Sequence, residues 1–255
     1  MKICSINVRP LRFVCAMGLV IAMLGCLLFF SKSQTVYFGY TARLVPIYSV
    51  STKEKKVALS FDAAWGADKT SEIVKICKEN NIGATFFLVG FWTEKYPDKV
   101  KEIYDAGCFD IGTHSNTHPQ MSKLSAAQIK GELETSCKLL TDITGQKVRF
   151  FRPPYGDYND LLISTASNLG LQTIQWSVDS LDWKGLSASQ ILTRINTGVH
   201  DGAIILCHNN SDHIVEALPQ IISNLREQGY KMVKMSELVM ENDYIVDNNG
   251  VQTKK

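Results

Sequence analysis

The chain carries almost no net charge. Its 255 residues set 27 Lys and Arg against 25 Asp and Glu, a formal charge of +2. No block of like charges occurs, so neither a polybasic nucleic-acid surface nor an acidic tail is present. Internal repeats and low-complexity tracts are absent, which excludes solenoids and disordered arrays. The seven cysteines, at 4, 15, 26, 77, 108, 137 and 207, include no C-x-x-C pair, so no metal or redox motif of that type exists. Three of them lie in or before an apolar N-terminal run. The other four read as singly buried thiols.

What is present divides into two parts. "FVCAMGLVIAMLGCLLFF", Phe13 to Phe30, is apolar throughout and follows Lys2, Arg9 and Arg12. Its length suits a helix across a bilayer, and the basic flank predicts the N-terminus inside with the remainder outside. Residues 1–31 are therefore expected to be a basic flank plus an uncleaved single-pass anchor; a lipoprotein site at Cys26 and a buried core helix are the weaker readings. Residues 32–54 read as a stalk or an edge element, and 241–255 as a tail.

Between them the chain alternates apolar strands with amphipathic helices. "VALSF", "ATFFLVG", "FDIGTH", "VRFFRPP", "QTIQWSVDS", "GAIILCHN" and "KMVKM" have strand character, and helical spacing fills the intervals. Continuous apolar strands separated by helices predict a parallel sheet covered on the outside. About seven such units predict a distorted (β/α)7-type barrel; a doubly wound open sheet is the alternative.

In parallel barrels the chemistry sits at the C-terminal ends of the strands. Asp62 ends the first strand, His114 and His118 follow the third, Arg152 ends the fourth, Asp179 and Asp182 with Trp183 follow the fifth, and His208 ends the sixth. Each alone could be a satisfied structural residue; five strand ends in agreement point to one site. His114 and His118, four apart, would share a face on one helical turn and suit zinc, cobalt or a similar divalent ion.

Five segments in order resemble the motifs of polysaccharide deacetylases, the carbohydrate esterases with a NodB-homology domain. They are "SFD" at 60–62, "THSNTHP" at 113–119, "RFFRPPYG" at 149–156, "SVDSLDW" at 177–183 and "ILCHN" at 205–209. The resemblance spans 55–240, and "FD-x-x-WG" at 61–66 is similar to the sporulation-associated, membrane-anchored branch. It implies N-deacetylation of a cell-wall glycan by a divalent metal, zinc or cobalt. It implies Asp62 as general base, Arg152 as its orienting partner, His114 and His118 as metal ligands, and His208 as general acid. Asp182, or else Asp179, would tune that acid. Pro153, Pro154 and Tyr155 would wall the groove, with the Tyr155 amide as an oxyanion donor, and Trp183 and Leu206 would hold the acetyl methyl. One position departs from the pattern. The family has a metal-binding Asp directly after the base, and here that residue is Ala63. Three consequences stand open: Asp68 or another carboxylate substitutes, the metal binds weakly, or the protein binds glycan without turning it over.

Overall fold

The computed structural model describes residues 43–255. The anchor expected at 13–30 lies outside the described residues. Among the described residues no helix is long and apolar enough to cross a membrane.

Eight parallel strands form the main sheet. They are β2 (Lys56–Ala63), β3 (Ala84–Leu88), β4 (Phe109–Thr113), β5 (Phe150–Phe151), β6 (Gln172–Thr173), β7 (Val178–Asp179), β8 (Ile204–His208) and β9 (Lys231–Met232). The order is β6-β5-β4-β3-β2-β8-β7, with β9 added beside the start of β2. Neighbours in space are neighbours in sequence, and β8 closes back onto β2. A doubly wound sheet would reverse its strand order at a switch point; this one does not. The sheet is a curled barrel left open between β6 and β7. The segment expected as one strand, "QTIQWSVDS", is thus two short strands separated by Ile174–Ser177.

The gap is partly closed from below by the segment just before β2. Ile47 pairs with Ile174, and its amide donates to the Thr173 carbonyl at 2.9 Å. Ser49 bridges Ala203, and β1 (Ser49–Val50) joins β10 (Tyr244–Val246) and β11 (Val251–Lys254) in a second, three-stranded sheet. Ile47 and Val50 are buried. Of the segment expected as a stalk or an edge element, these residues form an edge, and the expected tail forms a hairpin that pairs with it.

Helices α1 (Thr70–Glu79), α2 (Gly90–Lys95), α3 (Pro97–Asp105), α4 (Ala126–Thr144), α5 (Asp160–Asn168), α6 (Ala188–Gly198), α7 (Ile214–Glu227) and α8 (Met235–Leu238) complete the architecture. Their ends follow local chemistry. Ser125 and Gln128 form a capping box that starts α4, and Gly145 ends it in the left-handed conformation at φ +71°. Ser187 with Gln190 does the same at the start of α6. Every residue of β3 is buried, as are β2 residues Val57 to Ala63, which explains their unbroken apolar runs.

Candidate active site

The strand ends converge on one cleft of about 680 Å³ at the C-terminal rim. Asp62, the second-last residue of β2, is held from below. Arg152, wholly buried just after β5, donates from Nη1 to Asp62 Oδ1 at 2.7 Å and to Ser60 Oγ at 2.9 Å. Its Nη2 donates to the Gln175 carbonyl at 3.2 Å, and its guanidinium lies 4.1 Å from the Phe87 ring centroid. Burial alone would raise the Asp62 pKa. The Arg152 charge, helped by His114 and His208, outweighs burial and holds this carboxyl below the usual range. Arg152 does not reach the cleft itself, so it positions Asp62 from beneath.

The same residue orients His114. His114 Nδ1 lies 2.7 Å from the Arg152 carbonyl oxygen, which can only accept, so the ring donates from Nδ1. The lone pair of the neutral ring therefore sits on Nε2, 3.5 Å from Asp62 Oδ2. Desolvation lowers the His114 pKa and keeps the ring neutral, Asp62 notwithstanding.

His118 reaches His114 by a route other than the expected helical turn. Residues 114–118 are a loop in which Ser115 and His118 both take positive φ, +68° and +58°. Ser115 Oγ accepts the His118 amide at 3.0 Å. Glu132 of α4 accepts the amides of Asn116 and Thr117, each at 2.8 Å, and the Thr117 hydroxyl at 2.7 Å. The loop places the two rings 4.9 Å apart. Burial, and then the neighbouring His114, lower the His118 pKa to about 4. Its Nδ1 is buried and has no hydrogen-bond partner.

Two neutral imidazoles, one with its lone pair fixed by a carbonyl and one with an unpartnered buried nitrogen, fit a divalent ion in two positions. The third position is not filled. Ala63 is buried in β2 and offers only a methyl group. Asp68 is exposed and lies outside the cleft wall. Among the described residues no group of three His, Cys, Asp or Glu side chains is arranged to hold a metal.

Across the cleft stands the second pair. His208 Nδ1 meets Asp182 Oδ1 at 2.7 Å, and the His208 amide donates to Asp182 Oδ2 at 2.9 Å. Ser211 Oγ donates to the same Oδ2 at 2.8 Å. Burial pushes the His208 pKa down, but the bond to and charge of Asp182 more than offset it, and the net shift is upward. Asp182, and not Asp179, is the partner: Asp179 lines the cleft but spends Oδ1 on the Leu181 amide at 2.9 Å.

Pro153, Tyr155, Trp183 and Leu206 line the cleft as expected. Pro154 does not; it is buried at the start of a short 3-10 turn that continues with Tyr155, which takes φ +61°.

The chain matches the family described as "Polysaccharide deacetylase" over residues 49–174. A peptidoglycan-N-acetylglucosamine deacetylase of Bacillus cereus is 31% identical over 205 residues, covering 79% of this chain and 74% of the relative. The chain belongs to the polysaccharide deacetylase family. The fold of this deacetylase-family chain is also that of wild-type BA3943, a CE4 family pseudoenzyme from Bacillus anthracis. That structure matches at TM-score 0.74 and 38% identity, covering 77% of this chain and 69% of the other. A BA3943 mutant described as having restored enzymatic activity matches at TM-score 0.74 and 39% identity, covering 77% and 72%. The chain spans 61% of the length of another relative, the uncharacterized protein YlxY of Bacillus subtilis strain 168, at 32% identity and 77% of this chain.

Several members of this candidate site carry no mark in the sequence. Ser60 and Gln175 brace Arg152, Glu132 braces the histidine loop, and Ser211 braces Asp182. None carries a spacing signal, because each acts through a contact between segments distant in sequence. Ser211 had the best chance of detection, standing three residues after His208 on the same rim.

Proposed function

We propose that this protein is an N-deacetylase of cell-wall glycan. The observation that carries this reading is the pairing of a depressed carboxylate, Asp62 on Arg152, with a raised imidazole, His208 on Asp182, in one cleft. Groups whose environments push their pKa values apart in this sense suit a base and an acid acting in one reaction. A divalent ion at His114 and His118, zinc or cobalt, would supply Lewis acidity at the acetamide carbonyl.

The chain's own residues divide the remaining work. Asp62 stays ionised at neutral pH and accepts the proton of the attacking water. The Tyr155 amide donates to the oxyanion that forms. His208, its Nδ1 proton held by Asp182, donates its other proton to the leaving amine and makes it expellable. Leu206 and Trp183 receive the acetyl methyl. The fully buried Arg152 keeps Asp62 ionised in the resting site, so that it is free to accept that proton. The basic flank and apolar run support anchoring at 13–30 with this domain on the extracytoplasmic side. The "FD-x-x-WG" motif supports a place in spore-wall modification.

A second reading, glycan binding without turnover, is favoured by one specific observation. Ala63 leaves two ligand positions where a catalytic zinc takes three, and BA3943, at 38% identity, is a pseudoenzyme. Acetate release from N-acetylglucosamine oligomers and peptidoglycan fragments, with zinc added and with chelator, decides between them. Zinc-dependent release establishes the deacetylase. Glycan binding without release under either condition establishes the binder.

A further inference from the structure

Six large apolar side chains are exposed in the described residues, and three of them, Trp65 at 65%, Tyr155 at 63% and Trp183 at 58%, line the one cleft. Exposed aromatic surface gathered at one concavity marks a binding face. The three are not equivalent. Lys184 Nζ lies 5.0 Å over the Trp183 ring centroid, and Tyr155 packs against His118 at 4.6 Å. Trp65 meets the His118 ring edge at 5.0 Å, one ring removed from His114 and Asp62.

The Trp65 loop is built to hold that ring still. The Gly66 carbonyl accepts from Trp92 Nε1 at 2.7 Å and from Asn209 Nδ2 at 3.0 Å. Asn209 Nδ2 also donates to Thr70 Oγ1 at 3.1 Å. A side chain at 65 can therefore stay exposed while its backbone is fixed from two directions. A pre-fixed aromatic face binds a ligand with little entropy loss.

We propose that Trp65 is the stacking platform for the sugar ring next to the one whose acetamide faces Asp62. The proposal rests on the glycan reading above and deepens it: the cleft takes an oligomer of at least two sugars.

Titration calorimetry of the full-length chain in chelator tests it without recourse to turnover. The probe is the N-acetylglucosamine pentamer. Trp65→Ala is expected to weaken N-acetylglucosamine pentamer binding by about 3- to 10-fold, the scale of one aromatic contact. Trp65→Phe should keep most of the affinity, and its circular dichroism and that of Trp65→Ala should match wild type. Equal affinity of wild type and Trp65→Ala for the N-acetylglucosamine pentamer overturns the platform, as does a loss in Trp65→Phe as large as in Trp65→Ala. Absence of any glycan binding by wild type overturns the glycan reading itself, which separates that failure from this one.

Discussion

Arg152 reaches Asp62 at 2.7 Å from a position with no solvent exposure at all. A guanidinium this deep is tolerable only because its partners are fixed: a carboxylate, a hydroxyl, a carbonyl and the Phe87 ring. Arg152→Met should therefore destabilise the protein by about 3–5 kcal/mol, since it leaves Asp62 buried and unpaired. The double variant Arg152→Met with Asp62→Asn should recover a measurable part of that loss. Urea denaturation of both gives the comparison; a double variant no more stable than the single would show that the pair is not the source of the cost.

The pH dependence of stability follows from the directions of the two shifts. Asp62 has a folded pKa below its unfolded value, so its contribution is present above about pH 4 and disappears as pH falls through the folded value. His208 has a folded pKa above its unfolded value. Its contribution is present below about pH 6.5 and disappears as pH rises through the folded value. Nuclear magnetic resonance titration of the His208 imidazole should give a midpoint above the ordinary histidine value in wild type. Asp182→Asn should move it down, because the largest upward influence is then gone and burial is opposed only by the charges of Asp62 and Asp179. A midpoint unmoved by Asp182→Asn would refute the pairing.

Gly66 has φ +66°, and a Cβ there would fall 2.2 Å from Asn210 Nδ2. Gly66→Ala should cost about 1–3 kcal/mol from backbone strain. It should also shift the Trp65 fluorescence, because the carbonyl of Gly66 is the anchor of that loop. Thermal denaturation followed by tryptophan emission reads both, and an unaltered spectrum at unaltered Tm would contradict the role given to the loop.

Ala63→Asp should lower the stability of the metal-free protein, since it buries a carboxylate in β2. Zinc should restore it, because two imidazoles and a carboxylate make a three-ligand site. The variant is expected to bind zinc at least 10-fold more tightly than wild type, while His114→Ala should lose zinc binding. Calorimetric titration measures all three. Equal affinity in wild type and Ala63→Asp would mean that a third group already ligates in the wild type.

Much of this was legible in the sequence because it depends on local chemistry. The apolar runs of β2, β3 and β8 are short-range signals. Their alternation placed Asp62, Arg152 and His208 on one rim. What was not legible depends on long-range closure. The split between β6 and β7 arises where the barrel opens, and the Ile47 pairing with Ile174 joins segments far apart in the chain. The His114–His118 loop copies a helical spacing by a different backbone path, which only the positive φ angles at Ser115 and His118 reveal. Thr70, the first residue of α1, accepts from Asn209, and no side chain caps that helix.

The central claim is that Asp62 is the base of an amide-cleaving site. Acetate release from the N-acetylglucosamine pentamer by zinc-supplemented full-length chain, compared with Asp62→Asn, tests it most directly. The account predicts measurable release by wild type and a loss of at least 100-fold in Asp62→Asn, the scale of a general base, with zinc affinity unchanged. Release by Asp62→Asn at the wild-type rate would contradict it.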